Sequence, residues 1–250
     1  MISSTPCLAL TIAIATLAVP SLISAEDGLR PVFDEAAKKE QGFRSLYNGV
    51  DLKGWKVEPG HVGHWQAQDW KLVYNGRARH KSLWTERSFG DFELIVDWRL
   101  PKLLRVRDVP VILPSGEYDL DEDGKQKEVE IEDGGDSGIY LRGQDGEDRC
   151  QVNIWTWPIG SGEIWGYRNE KSLTPEERRA VTPKQRADRP IGEWNRFFIR
   201  MNGDRITVDL NGVRVIDKAR LPGLPKRGPI GLQDHGNPIE FANIYIREIN

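Results

Sequence analysis

A proton can be moved near neutral pH where an imidazole stands beside a carboxylate, and this chain has one such place: His235 follows Asp234 in GLQDHG, at the end of a predicted strand whose same-face neighbour is Gln233. The plainer role for such a side chain is a strand-end histidine that bonds a nearby loop. A second concentration of chemistry lies in DSGIYLRGQDGEDRCQVNIWTWPIGSGEIWGY, residues 136–167. Successive side chains of a strand point to opposite faces, so Tyr140 and Arg142 share one face of GIYLRG while Ile139 and Leu141 take the other. In CQVNIWTW the set Gln151, Asn153 and Trp155 opposes Val152 and Ile154, and the aliphatic set must face the core. Trp157, Glu163, Trp165 and Tyr167 follow within a few residues. A sheet face carrying a guanidinium, amides and flat rings suits a sugar, because rings cover the apolar C–H faces of a pyranose while amides and guanidinium take its hydroxyls. The competing reading is a face covered by a loop or second layer, with the tryptophans serving as core.

Other acidic groups are less convincing as catalysts. Glu128, Glu130 and Glu132 share one strand face in EVEIE. Retaining glycosidases hold their two carboxyl groups about 5–5.5 Å apart, whereas positions i and i+4 of a strand are separated by roughly 13 Å. Glu93 and Asp97 lie on one face of FELIVDWR, where an exposed charged face with Arg99 as cross-strand partner accounts for them. Asp119, Asp121 and Asp123, followed by Gly124, resemble the start of a calcium loop but lack its flanking helices, so a solvated acidic turn is expected. No metal site is predicted and no cofactor is required, although a divalent cation is left open.

These groups must be positioned by a chain of 250 residues, with 38% hydrophobic and 29% charged residues and a formal charge of −3, a globular composition without the basic footprint that nucleic acid requires. Residues 1–25 read as an export signal: an apolar run from Cys7 to Ile23 ends in Ile23-Ser24-Ala25, before Glu26-Asp27. The leading MISST lacks a basic residue, but Pro20 breaks the run and leaves it short of a membrane span. Removal of the signal would take Cys7 with it and leave Cys150 as an unpaired, packed thiol. The expected location is therefore secreted or periplasmic, with no membrane association once the signal is gone.

Residues 26–41 form a lead-in containing a short helical stretch, DEAAKKEQ, and residues 42–250 form the main domain. HWQAQDWKLVYNG reads as a hairpin, and SLWTERSFGDFELIVDWRL as two strands joined at Phe89-Gly90-Asp91. Residues 101–135 look like an insertion, irregular at first and then acidic. Thr174 to Ala180 carries helix-start signals within a long loop, with Thr174 as N-cap and Pro175 next. Asn202-Gly203 and Asn211-Gly212 divide EWNRFFIRMNGDRITVDLNGVRVID into a three-stranded meander. Many short strands, turn residues between them and almost no helix predict an all-β sandwich of two antiparallel sheets, of the jelly-roll type with a concave ligand face.

FRSLYNGVDLKGW, FGDFELIVDWRL, GGDSGIYLRG, GEWN, LNG and GPIGLQDHGNPIEFANIYIREI, in that order across residues 42–250, resemble the 3-keto-disaccharide hydrolase domain family. The resemblance implies a concanavalin A-like jelly roll, secreted by bacteria, acting on glycosides already oxidised at C3. His235 is then expected as base or acid beside Asp234, with Arg142, Gln151 and Asn153 as donors to the oxyanion at C3. Gln233, Tyr140, Trp155, Trp157, Glu163, Trp165 and Tyr167 would hold an oligosaccharide or modified glycoside. One departure stands out: relatives carry acids where this chain has Gln151 and Thr156, so the carboxylate role is lost or moved to Glu163, Asp136 or Asp234. A non-catalytic carbohydrate-binding module on the same scaffold, and a protein-interaction domain, are the alternatives.

Overall fold

The computed structural model describes Met1 and residues 31–77, 82–143 and 150–249; residues 2–25 of the predicted export segment, Cys7 and His80 lie outside them. Among the described residues there are fifteen strands, β1 to β15, with a few short helices between them. In chain order they are α1 (Glu35–Glu40), β1 (Arg44–Ser45), β2 (Trp55–Lys56), a 3-10 turn (Pro59–His61), β3 (Trp65–Gln68), β4 (Lys71–Asn75), β5 (Leu83–Phe89), β6 (Phe92–Arg99), β7 (Arg105–Pro110) and β8 (Glu128–Asp133). They continue with β9 (Ser137–Tyr140), β10 (Gln151–Ile154), α2 (Trp165–Arg168), α3 (Pro175–Ala180), β11 (Asn195–Asn202), β12 (Arg205–Leu210), β13 (Val213–Arg220), β14 (Gly228–Leu232) and β15 (Pro238–Glu248).

The larger sheet runs β13-β12-β11-β6-β15-β4-β3, with β1 also paired to β15, and the smaller runs β10-β9-β14-β5-β2. Pairings are antiparallel throughout, and one apolar cluster lies between the layers, with Leu94, Trp98 and Phe197 from the larger sheet meeting Leu83, Ile139 and Ile230 from the smaller. This is the two-sheet antiparallel sandwich that the strand pattern predicts, consistent with the concanavalin A-like jelly roll that the family resemblance implies. The meander follows its turn residues: Asn211 (φ 54) and Gly212 (φ 83) both occupy the left-handed region, which matches the twist of β12 and β13. The two predicted helices also form. Asp34 Oδ1 accepts from Ala37 N to cap α1, and Thr174 with Glu177 makes a reciprocal capping box on α3.

Phe89-Gly90-Asp91 joins two strands, as read, and because they belong to different sheets it turns the corner between the layers. Two expectations change in three dimensions. The Glu93/Asp97 face of β6 is buried, not solvated. β6 lies between β11 and β15, and an outer cluster of Phe33, Phe43, Ile95 and Tyr245 covers its second face. Arg196 and Asn243 hold Asp97, Arg200 and Arg247 hold Glu93, and Arg99 turns instead to Glu240. Residues 105–133 begin and end as an ordered ribbon, β7 against β8, on which Glu128, Glu130 and Glu132 are exposed; at its tip Asp121 accepts from the Asp123 and Lys125 amides as a turn. His61 is buried, with Nδ1 accepting from Glu58 N at 2.9 Å.

Candidate functional site

The smaller sheet builds a polar floor from three adjacent strands. β14 pairs with β9 (Leu232 opposite Ile139), and β9 pairs with β10 (Gly138 opposite Asn153, Tyr140 opposite Gln151). Gln233 continues β14, its amide bonding Gly138 O at 2.9 Å, so the sheet carries Gln233, Gly138 and Asn153 side by side. Gly138 leaves the middle of this row empty, and the Gln151 side chain lies in the space: a Cβ on Gly138 would stand 2.0 Å from Gln151 Nε2. That nitrogen donates to Ser137 O (3.2 Å) and to Gln233 Oε1 (2.6 Å). Bonding a backbone carbonyl fixes which end of the amide is nitrogen. With both hydrogens of Gln151 engaged, its Oε1 is left to accept, and the Nε2 of Gln233 is left to donate.

Beyond the edge strand β10 the chain turns into an aromatic wall. Trp155 and Trp157 stack at 4.4 Å with planes 5° apart, and Trp165 meets Trp155 nearly at a right angle, 6.1 Å away. Trp155 is locked by Nε1 to Gly160 O (2.7 Å) and by Ser161 Oγ on its amide (3.1 Å). Floor and wall enclose a cleft of about 110 Å³ lined by Asp136, Gln151, Asn153, Trp155, Trp157, Trp165, Gln233 and His235.

Its ionisable groups are Asp136 and His235, 2.8 Å apart through Oδ2 and Nδ1. Asn237 Nδ2 bonds Asp136 Oδ1 (2.9 Å) and His235 O (3.0 Å), bracing the pair. The hydrogen bond that His235 Nδ1 makes to Asp136 raises the imidazole's pKa above its ordinary value, helped by the charges of Asp136 and Asp234 and opposed by partial burial. A carboxylate on Nδ1 keeps the proton there and leaves Nε2 as the basic atom of the neutral ring.

Five of the twelve side chains expected at the site lie elsewhere. Arg142 stands beyond the end of β9 at φ 52, so strand alternation no longer governs it. Its guanidinium binds Gly90 O (2.9 Å), Gly203 O (2.7 Å), Pro225 O (3.2 Å) and Asp91 Oδ1 (2.6 Å), tying loops of both layers together. Asp234 is buried away from the cleft lining, accepting from Tyr74 OH and from Gly236 N at 2.8 Å. Tyr140 is buried and stacks on Trp84 at 5.2 Å, and Tyr167 is core, its hydroxyl donating to Pro222 O at 3.2 Å. Glu163 is buried beneath the aromatic wall against Arg168. Thr156 is likewise turned away, toward Asp133 Oδ1 at 3.3 Å. The residue that sequence reasoning underused is Asp136, named only as a possible substitute acid. Its partner His235 is 99 positions away, and only the β9–β14 pairing shows that they meet.

Among the described residues no cluster of three or more His, Cys, Asp or Glu could hold a metal ion. The cleft carries one carboxylate and one imidazole, which does not make a ligand set for a divalent cation.

Comparison with known proteins adds the following. The family model described as "3-keto-alpha-glucoside-1,2-lyase-like domain", that of the 3-keto-disaccharide hydrolases, matches residues 42–247. A candidate glycosyl hydrolase from Parabacteroides distasonis ATCC 8503, solved at 1.70 Å, superposes with a TM-score of 0.55 at 18% identity over 88% of this chain and 99% of that one. A second from the same organism, solved at 2.13 Å, gives 0.52 at 23% identity over 83% of this chain and 84% of that one. These likenesses show a shared fold. No curated protein sequence matches the chain.

Proposed function

The chain belongs to the family of 3-keto-alpha-glucoside-1,2-lyase-like domains, and from that premise we propose that it cleaves glycosides carrying a ketone at C3, by elimination across C1 and C2 followed by hydration. The observation that carries this reading is the Asp136–His235 pair at the mouth of an amide-floored cleft that holds no other ionisable side chain.

A ketone at C3 acidifies the hydrogen on C2. His235 Nε2 takes that proton, and the C–H electron pair becomes an enolate with its charge on the C3 oxygen. The donors suited to that oxygen are the side-chain amides of Asn153 and Gln233, since both hydrogens of Gln151 are already committed. Collapse of the enolate restores the ketone, forms the C1=C2 double bond and breaks the C1–O bond. The leaving oxygen takes a proton from imidazolium or water and departs as an alcohol. Water then adds to the enone, hydroxyl at C1 and proton at C2, giving the free 3-keto sugar. Asp136 orients the ring and stabilises its charged form. Arg142, expected as an oxyanion donor, takes no part.

The test is incubation with a 3-keto-disaccharide in D2O. Release of a 3-keto monosaccharide carrying deuterium at C2, lost in His235→Ala, is the expected result. Hydrolysis without exchange at C2 would sink the elimination. Saturable binding without product would favour a carbohydrate-binding module, the reading to which the neutral Gln151 gives most support.

A further inference from the structure

Trp165 combines two properties that rarely coincide. The residue is 41% exposed, the one large aromatic among the exposed hydrophobic residues described, yet it is held as firmly as a core residue. It opens α2, meets the buried Trp155 edge to face, and has the Arg168 guanidinium 5.9 Å from its ring centroid. Arg168 is itself buried, ion-paired with the buried Glu163, bonded to Gly116 O at 3.1 Å and seated over Tyr118 at 5.1 Å. Burying an ion pair costs heavily in desolvation. Here the pair fixes an indole that gains little from burial itself, and an indole rigidly offered to solvent beside a cleft is a stacking surface.

The elimination chemistry decides what stacks there. In the sugar ring C2 lies between C1 and C3. With His235 at C2 and the amides of Asn153 and Gln233 on the C3 oxygen, the reacting ring lies over the β14–β9–β10 floor. The rest of the cleft lining, Trp157 and Trp165, stands beyond β10, the sheet's edge. Within the cleft those indoles are what is left for the substituent on C1.

We propose that Trp165, with Trp157, forms a leaving-group subsite selective for aglycones that present a flat ring face, a second pyranose or an aryl group, over small alkyl aglycones. This rests on the lyase reading, and the experiment separates the two. The kcat/KM values of a 3-keto-disaccharide, an aryl 3-keto-glucoside and methyl 3-keto-glucoside are measured for the natural protein, Trp165→Ala and Trp165→Phe. The expected result is a ring-to-methyl kcat/KM ratio that falls about tenfold in Trp165→Ala, mainly through KM, and recovers substantially in Trp165→Phe. A fall for only one ring class assigns the subsite to sugars or to aryl groups. An unchanged ratio, with or without a uniform loss of activity, overturns the subsite. If the natural protein turns over none of the three, the lyase reading fails. Calorimetric binding of the disaccharide against the monosaccharide then takes the place of kcat/KM, and a selectivity that Trp165→Ala leaves intact overturns the subsite.

Discussion

His235 Nδ1 lies 2.8 Å from Asp136 Oδ2, a contact between the end of one strand and the start of another that sets both the tautomer and the basicity of the imidazole. Because the Asp136 hydrogen bond raises the imidazole's pKa, the acid limb of kcat/KM should lie above the ordinary histidine value of about 6.5. Replacing Asp136 by Asn removes the negative charge, so the limb should move to lower pH while kcat falls by about 10²–10⁴ through a weaker, misoriented base. The stabilisation that the pair gives the fold has the matching sign: it is present below about pH 6.5 and is lost as pH rises through the raised value. A pH–rate profile of Asp136→Asn whose limb does not move would remove Asp136 from the mechanism.

Arg142 acts on the fold. Three backbone carbonyls and Asp91 accept from its buried guanidinium, and truncation removes all four bonds together with the packing of the side chain. Arg142→Ala should cost about 2–5 kcal/mol of stability. At a temperature where the variant remains folded, its KM should match that of the natural protein. A large KM change with unaltered denaturant midpoint would restore Arg142 to the site.

Gly138 is required by the approach of Gln151. A methyl group there would sit 2.0 Å from Gln151 Nε2 and 2.5 Å from its Cγ, so Gly138→Ala must expel the amide and break its bonds to Ser137 and Gln233. The expected cost is about 1–3 kcal/mol, with turnover reduced more than tenfold. Adding Gln151→Ala should recover stability, measured by chemical denaturation, without recovering turnover. Recovery of both would mean that Gln151 only fills space.

Period-2 patterning and Asn-Gly turns were enough to read the sandwich, the meander and the alternation of β10, because those signals are local. Asn153 and Trp155 reach the cleft as that alternation implies. Arg142 was misplaced because a left-handed residue ended the alternation one step earlier than the string suggests. Glu93 and Asp97 looked solvated because their cover comes from fifty or more residues upstream, Phe33 in the lead-in and Phe43 at the start of the main domain. The pairing of Asp136 with His235 depends on strand order, which no local pattern encodes. Glu163 was read as a sugar ligand from its neighbours, whereas its environment is set by Arg168 one turn later.

The Glu163–Arg168 pair makes the last prediction. Burial pushes the Glu163 carboxyl up, to about 7, against the opposing pull of Arg168, and its Oε2 has no hydrogen-bond partner. A carboxyl that holds its proton more tightly when folded favours the folded state at low pH, so this group's contribution should be greatest below its unfolded value of about 4.3 and should decline until about pH 7. Glu163→Gln should flatten that part of the stability–pH curve. Arg168→Met should steepen it, since the carboxylate then has no cation beside it, and should cost about 3–5 kcal/mol at pH 8 but much less at pH 5, where the carboxyl can stay protonated. The double variant should lose less than the two single losses added together, because neither charge is left alone. Additive losses in urea titrations at pH 8 would show that Glu163 and Arg168 do not act as a pair, and the rigid seating of Trp165 would then need another cause.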